Sequence, residues 1–132
     1  MSTFVDTSAL LALLAGNDPQ HQHAVEKFSD LLEQPYSLVT TNYVVVESIA
    51  LIQHRIGLAA VQSLLNDILP LVDVLWVDLT LHTQAIATLL TANRCALSVV
   101  DCSSFVFMRA QNITDAFAYD AHFEEQGFKC LR

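Results

Sequence analysis

The chain reads as an α/β domain with a mainly parallel central sheet of four to five strands, flanked by helices on both faces. Three observations predict this. Short strand-like runs alternate with longer segments of helical periodicity, the order that feeds parallel strands through right-handed helical crossovers. At 132 residues and 53% hydrophobic, the chain is one domain, residues 1–132, with enough apolar side chains for a real core. No repeat, low-complexity segment or linker interrupts the alternation.

Thr3 to Val5 are a short buried strand, and Thr7 to Ala15 a helix stopped at Gly16-Asn17. Asp18-Pro19 starts the next helix, a capping side chain followed by proline at the first helical position. That helix runs to about Glu33 with Ala24, Val25, Phe28, Leu31 and Leu32 on one face, and Pro35 ends it. Tyr36 to Thr40 form the second strand. Asn42 to Ile56 and Leu58 to Leu69, separated by Gly57, form a helical hairpin. Val74 to Val77 form the third strand, and Asp78 or Thr80 caps a helix running to about Asn93. Ser98 starts a helix through about Gln111. Ala116 to Tyr119 form the fourth strand, Ala121 to Glu125 a short turn, and Phe128 to Leu131 a fifth strand.

Charge narrows the function classes. The formal net charge is −8, and the six basic residues (Lys27, Arg55, Arg94, Arg109, Lys129, Arg132) are scattered, which excludes binding of nucleic acid through a broad basic surface. A phosphate-bearing substrate needs positive charge from elsewhere, and cations are the obvious source. No basic segment leads into a long apolar stretch with a small-residue cleavage site, and no apolar window is long enough to span a bilayer, so a cytoplasmic location is expected. Cys95, Cys102 and Cys130 lack metal or redox spacing and are expected to be reduced, Cys102 and Cys130 as core filler.

The acids stand where a core is expected. Asp6 interrupts FVDTSALLALL, Glu47 interrupts NYVVVESIALI and Asp101 interrupts LSVVDCSSFVFM. In open α/β sheets ligands bind beyond the carboxyl ends of the strands, where strand order reverses. Asp6 follows the first strand and Asp120 the fourth; Glu47 lies a turn into the helix after the second strand, and Asp101 in the first turn of a later helix. The topology permits all four to meet on one rim. Each of three has a structural reading too. Asp6 can cap the first helix, Ser98 to Asp101 match a capping box, and Asp120 can cap the turn that follows. Glu47 is too deep for a cap and has no lysine or arginine three or four positions away. Buried without a partner, it needs a cation or a proton. Asp18, Glu26, Asp30, Glu33, Asp67, Glu124 and Glu125 belong to solvated faces, and Asp115 sits at the wrong end of its strand. His21 and His23 have an H-x-H spacing that a helix points to different faces, and His54, His82 and His122 have no partner in sequence.

FVDTSALLALL, TTNYVVVES, LSVVDCSSFVFMRA and ITDAFAYDAHFEEQGF together resemble the PIN-domain ribonucleases, above all the toxin component of VapBC-type toxin–antitoxin modules. The resemblance covers nearly the whole chain. D-T-S alone is weak, whereas V-D-C-S-S-F and A-Y-D-x-H-F at this separation are specific. It implies that Asp6, Glu47, Asp101 and Asp120 are the catalytic, metal-binding acids, with Ser8 and Ser104 as supporting hydroxyls. It implies Mg²⁺ or Mn²⁺ as cofactor, in keeping with an all-carboxylate donor set. The implied reaction is hydrolysis of RNA phosphodiester bonds to a 5′-phosphate and a 3′-hydroxyl. Asp6, Glu47 and Asp101 are then core ligands, and Asp120 serves a second ion or orients the water. A cognate antitoxin and a homodimer formed through Asn42 to Leu69 are implied partners. The competing reading is the same fold as an RNA- or partner-binding module without catalysis. Two other acid pockets fit worse: D-T-S-A-L has Leu10 where a metal-dependent adhesion motif needs a second serine. A phospho-receiver domain lacks a correctly placed late lysine, Lys129 being the only one.

Overall fold

In the computed structural model, which describes residues 1–132, five strands pair in the order β3-β2-β1-β4-β5, all parallel. They are β1 Ser2–Val5, β2 Ser37–Thr41, β3 Asp73–Leu75, β4 Asp115–Phe117 and β5 Lys129–Cys130. Seven α-helices connect them: α1 Thr7–Leu14, α2 His21–Glu33, α3 Asn42–Arg55, α4 Leu58–Ser63, α5 Leu79–Ala92, α6 Val99–Ala110 and α7 His122–Glu125. The chain moves outward from β1 to β3 and then returns across β1 to β4, so the order reverses beside β1. With right-handed crossovers, that reversal opens a crevice at the carboxyl ends of β1 and β4.

Both faces of the sheet are covered, as the ring contacts show. Phe4 faces Phe107 of α6, centroids 5.8 Å apart, and Phe123 of α7 at 6.3 Å. Phe117 aligns with Val5, one residue beyond Phe4, and so points to the other face. There it stacks on Phe28 of α2 at 6.4 Å. Phe4, Phe107, Phe117 and Phe123 are fully buried within one core cluster, as is Cys102, while Cys130 packs at its edge. All three cysteines are free.

Four expectations shift. The second helix begins at His21 and not at Pro19, because the Asp18 carboxylate accepts from Gln20 N at 2.7 Å and closes a turn before the helix. On that helix Ala24, Phe28 and Leu31 are buried but Val25 and Leu32 are exposed, so the apolar face is narrower than expected. The helix over Leu58 to Leu69 is not uniform: α4 ends at Ser63, a π-helical turn covers Leu64–Ile68 and a 3₁₀ turn covers Leu69–Leu71. Pro70 is the cause, since its ring has no N–H and cannot continue an α-helix over the preceding turn. Finally, β3 and β4 end two residues early. Val77 N donates to Asn42 Oδ1 at 2.7 Å and Tyr119 N to Ser8 Oγ at 2.9 Å, so side chains replace the ladder there.

Candidate active site

Asp6 sits where β1 becomes α1. Its backbone is extended, and its Oδ2 accepts from Ser8 N at 3.1 Å and Ser8 Oγ at 2.7 Å. It therefore caps the helix while its other oxygen is left without a hydrogen bond. The Ser8 hydroxyl in turn accepts from Tyr119 N, which ties the end of β1 to the chain leaving β4. Ser8 is thus hydrogen-bonded to both Asp6 and Tyr119 N.

Asp101 occupies the third position of α6 and forms the full capping box. Its Oδ2 accepts from Ser98 N at 3.1 Å while Ser98 Oγ accepts from Asp101 N at 3.0 Å. The cap and the site are compatible, because only one carboxylate oxygen is used. Asp120 follows the same rule: its Oδ1 accepts from His122 N at 2.9 Å, and its Oδ2 is free. Glu47 lies half-buried one turn into α3, close to the Thr7 hydroxyl, which donates to the Val44 carbonyl at 3.5 Å and accepts from Ser48 Oγ at 3.1 Å.

The four acids feel one another. Burial is the main force on Asp6, which is 3% exposed. It pushes the carboxyl up to about 7 against the opposing Ser8 bonds, and Asp101 and Asp120 push it further the same way. Burial also raises Glu47, the Thr7 hydroxyl opposes it, and Asp101 and Asp120 add to the rise. Asp101 is raised by burial first; the Ser98 N–H opposes that, Asp120 reinforces it, and His122 counters it. Asp6 and Glu47 thus each lie within electrostatic reach of Asp101 and Asp120, at the carboxyl edge beside the strand-order reversal. No lysine or arginine neutralises them, since the arginine ion pairs are Arg94 with Glu125 and Arg132 with Glu124.

Two further side chains stand near the acids. Ser104 is buried, but its hydroxyl donates to the Val100 carbonyl of its own helix at 3.0 Å and not to an acid. His122 was left without a partner in sequence, yet its Nδ1 lies 3.0 Å from Asp120 Oδ1 and 3.8 Å from Asp101 Oδ2. The signal was the D-x-H spacing after a strand end. His21 and His23 do diverge: His21 Nδ1 meets the Ala12 carbonyl at 2.8 Å and His23 Nδ1 the Tyr119 hydroxyl at 2.6 Å.

The donor set fits a divalent cation. Donor atoms of Asp101, Asp120 and His122 lie within 4.8 Å of one another. His122 Nδ1 is also the one buried side-chain polar atom without a hydrogen-bond partner. An unpaired buried nitrogen among uncompensated carboxylates is costly unless something else occupies their common focus.

A family model described as the PIN domain matches residues 3–129. The 23S rRNA-specific endonuclease VapC20 of Mycobacterium tuberculosis is 33% identical over 130 residues, which is 98% of this chain and 97% of that protein. The crystal structure of that protein, described as a Sarcin-Ricin loop cleaving toxin, superposes with a TM-score of 0.84 at 31% identity, covering 98% of each chain. VapBC2 from Rickettsia felis, bound to a DNA fragment from its promoter, shares the fold with a TM-score of 0.70 at 13% identity, over 100% of this chain and 98% of that one. FitAcB from Neisseria gonorrhoeae does so at 0.68 and 17%, over 100% and 97%.

Proposed function

We propose, from the premise that this chain belongs to the PIN-domain family, that it is a Mg²⁺- or Mn²⁺-dependent endoribonuclease and the toxin of a VapBC-type toxin–antitoxin pair. One observation carries the reading: Asp6, Glu47, Asp101 and Asp120 meet at the sheet's carboxyl edge with no lysine or arginine to balance them.

Asp6, Glu47 and Asp101 would hold the ion, with Asp120 at a second ion or at the attacking water. The chemistry such an ion would supply when bound is Lewis acidity, toward water and toward a phosphoryl oxygen. The chain's own part is orientation. Ser8 fixes Asp6 through Oδ2, the Ser98 N–H fixes Asp101 through Oδ2, and the His122 N–H fixes Asp120 through Oδ1. Each of these three carboxylates has one oxygen tied to the scaffold, and since a carboxylate oxygen has lone pairs for both a hydrogen bond and a cation, the donor positions are set before substrate arrives.

The identity with a 23S rRNA endonuclease makes large ribosomal RNA the first substrate to test. The cytoplasm is then the expected compartment; no helix is long and apolar enough to cross a membrane. The same reading includes a cognate antitoxin and a homodimer. In the test, purified protein is incubated with labelled total RNA and with isolated ribosomes, in Mg²⁺, Mn²⁺ or EDTA. The expected result is discrete cuts that need metal, carry 5′-phosphates and fall at least a hundredfold in Asp6→Asn. RNA retained on the protein without cuts on any substrate would favour a binding module, and equal activity in Asp6→Asn would end the site assignment.

A further inference from the structure

The acids account for a hard cation, but they do not account for His122. Its side chain is 18% exposed and stands on the four-residue α7 between two carboxylates. The next residue, Phe123, is fully buried and packs edge-on against Phe105 with centroids 5.0 Å apart, which pins the turn. The imidazole is therefore held in place from the core side.

Its distances are those of co-ligands. Donors about 2.1 Å from one octahedral ion stand about 3.0 Å apart when adjacent and about 4.2 Å apart when opposite. Nδ1 lies 3.0 Å from Asp120 Oδ1 and 3.8 Å from Asp101 Oδ2, within that range. Neither approach is a hydrogen bond, although both carboxylates lie within ion-pair distance of the ring. The backbone N–H of His122 already serves Asp120 Oδ1 at 2.9 Å, so the ring is not needed to fix that carboxylate.

We propose that His122 Nδ1 is a metal ligand alongside Asp101 and Asp120, giving this side of the pocket a mixed nitrogen and oxygen donor set that favours Mn²⁺ over Mg²⁺. The proposal rests on the metal-dependent reading above and adds a ligand to it. Imidazole suits transition ions better than Mg²⁺, which prefers oxygen donors and retained waters.

The test is pulsed electron paramagnetic resonance of Mn²⁺ on the whole protein, together with Mn²⁺ and Mg²⁺ titrations by calorimetry. The expected spectrum of the wild type shows nitrogen coupling from a directly bound imidazole. In His122→Gln that coupling disappears, the Mn²⁺ Kd rises about tenfold and the Mg²⁺ Kd changes by less than about threefold. Melting in EDTA establishes that the variant is folded; if it is not, the wild-type spectrum decides alone. Bound Mn²⁺ without nitrogen coupling would overturn the ligand role and leave the acid site standing. Coupling that persists in folded His122→Gln would overturn it equally, assigning the nitrogen to another histidine. A wild type that binds no Mn²⁺ would remove the metal-dependent reading itself, and the ligand with it.

Discussion

Asp6 concentrates the site's conflict in one side chain. Its carboxyl titrates at about 7 in the folded protein, mainly through burial, against about 3.9 in an unfolded chain. The folded form therefore holds the proton more tightly. Stability is highest below the unfolded value, falls as pH rises from about 4 to about 7, and is flat above, with a total of order 4 kcal/mol. Asparagine carries no charge to desolvate and can still accept the Ser8 bonds. Metal-free Asp6→Asn should thus melt about 5 °C or more above wild type at pH 8 and close to it at pH 4. Parallel thermal melts in EDTA at the two pH values measure this. A variant less stable than wild type at pH 8 would show that the carboxylate is not under strain. The position of Asp6 was legible in sequence because an acid inside an apolar run after a strand has few comfortable places. His122 was not, since its meaning depends on where the chain turns after β4.

At the level of elements, the sequence placed each strand and helix because capping residues and breakers are local: Asp78 accepts from Leu81 N at 2.9 Å and Ser98 opens its capping box. Ends set by tertiary contacts escaped it. Tyr119 leaves β4 because Ser8, more than a hundred residues away, takes its N–H. The α3–α4 hairpin, turned at Gly57 with φ +125°, shows what else was readable. It holds Val46 and Leu58 each 66% exposed, with Ile56 and Leu65 also in solvent. On the proposed reading this hairpin is the surface through which a second copy associates, which would bury these side chains. Burying one leucine is worth about 1.5–3 kcal/mol, so Leu58→Asp should weaken a dimer at least tenfold without disturbing the fold. Sedimentation velocity at several concentrations tests it. A wild type that stays monomeric at about 100 µM would refute the dimer.

Across the whole molecule, strand order was the part no local signal encodes. The sequence implied a parallel sheet, but that β1 sits between β2 and β4 follows only from the crossover β3 to β4. That crossover is what brings Asp101 and Asp120 to the edge where Asp6 and Glu47 already stand. The result is a chain of net charge −8 with four acids gathered on one rim. Two carboxylates about 5 Å apart at an effective dielectric of about 20 repel by roughly 3 kcal/mol, so the charges on this rim oppose folding and a bound cation would relieve them. A ligand at a hundred times its Kd stabilises the native state by about 2.7 kcal/mol, equivalent to about 10 °C in Tm for a chain of this length. General screening of the −8 charge also stabilises, but it depends on ionic strength and does not saturate at a defined site. Mg²⁺ and Mn²⁺ should therefore raise Tm along a saturating curve, while NaCl at equal ionic strength gives a small, unsaturating rise. Asp101→Asn should flatten the metal curve and leave the NaCl curve unchanged. If the metal and NaCl curves coincide, the acids are a solvated cluster and no cation site has been built.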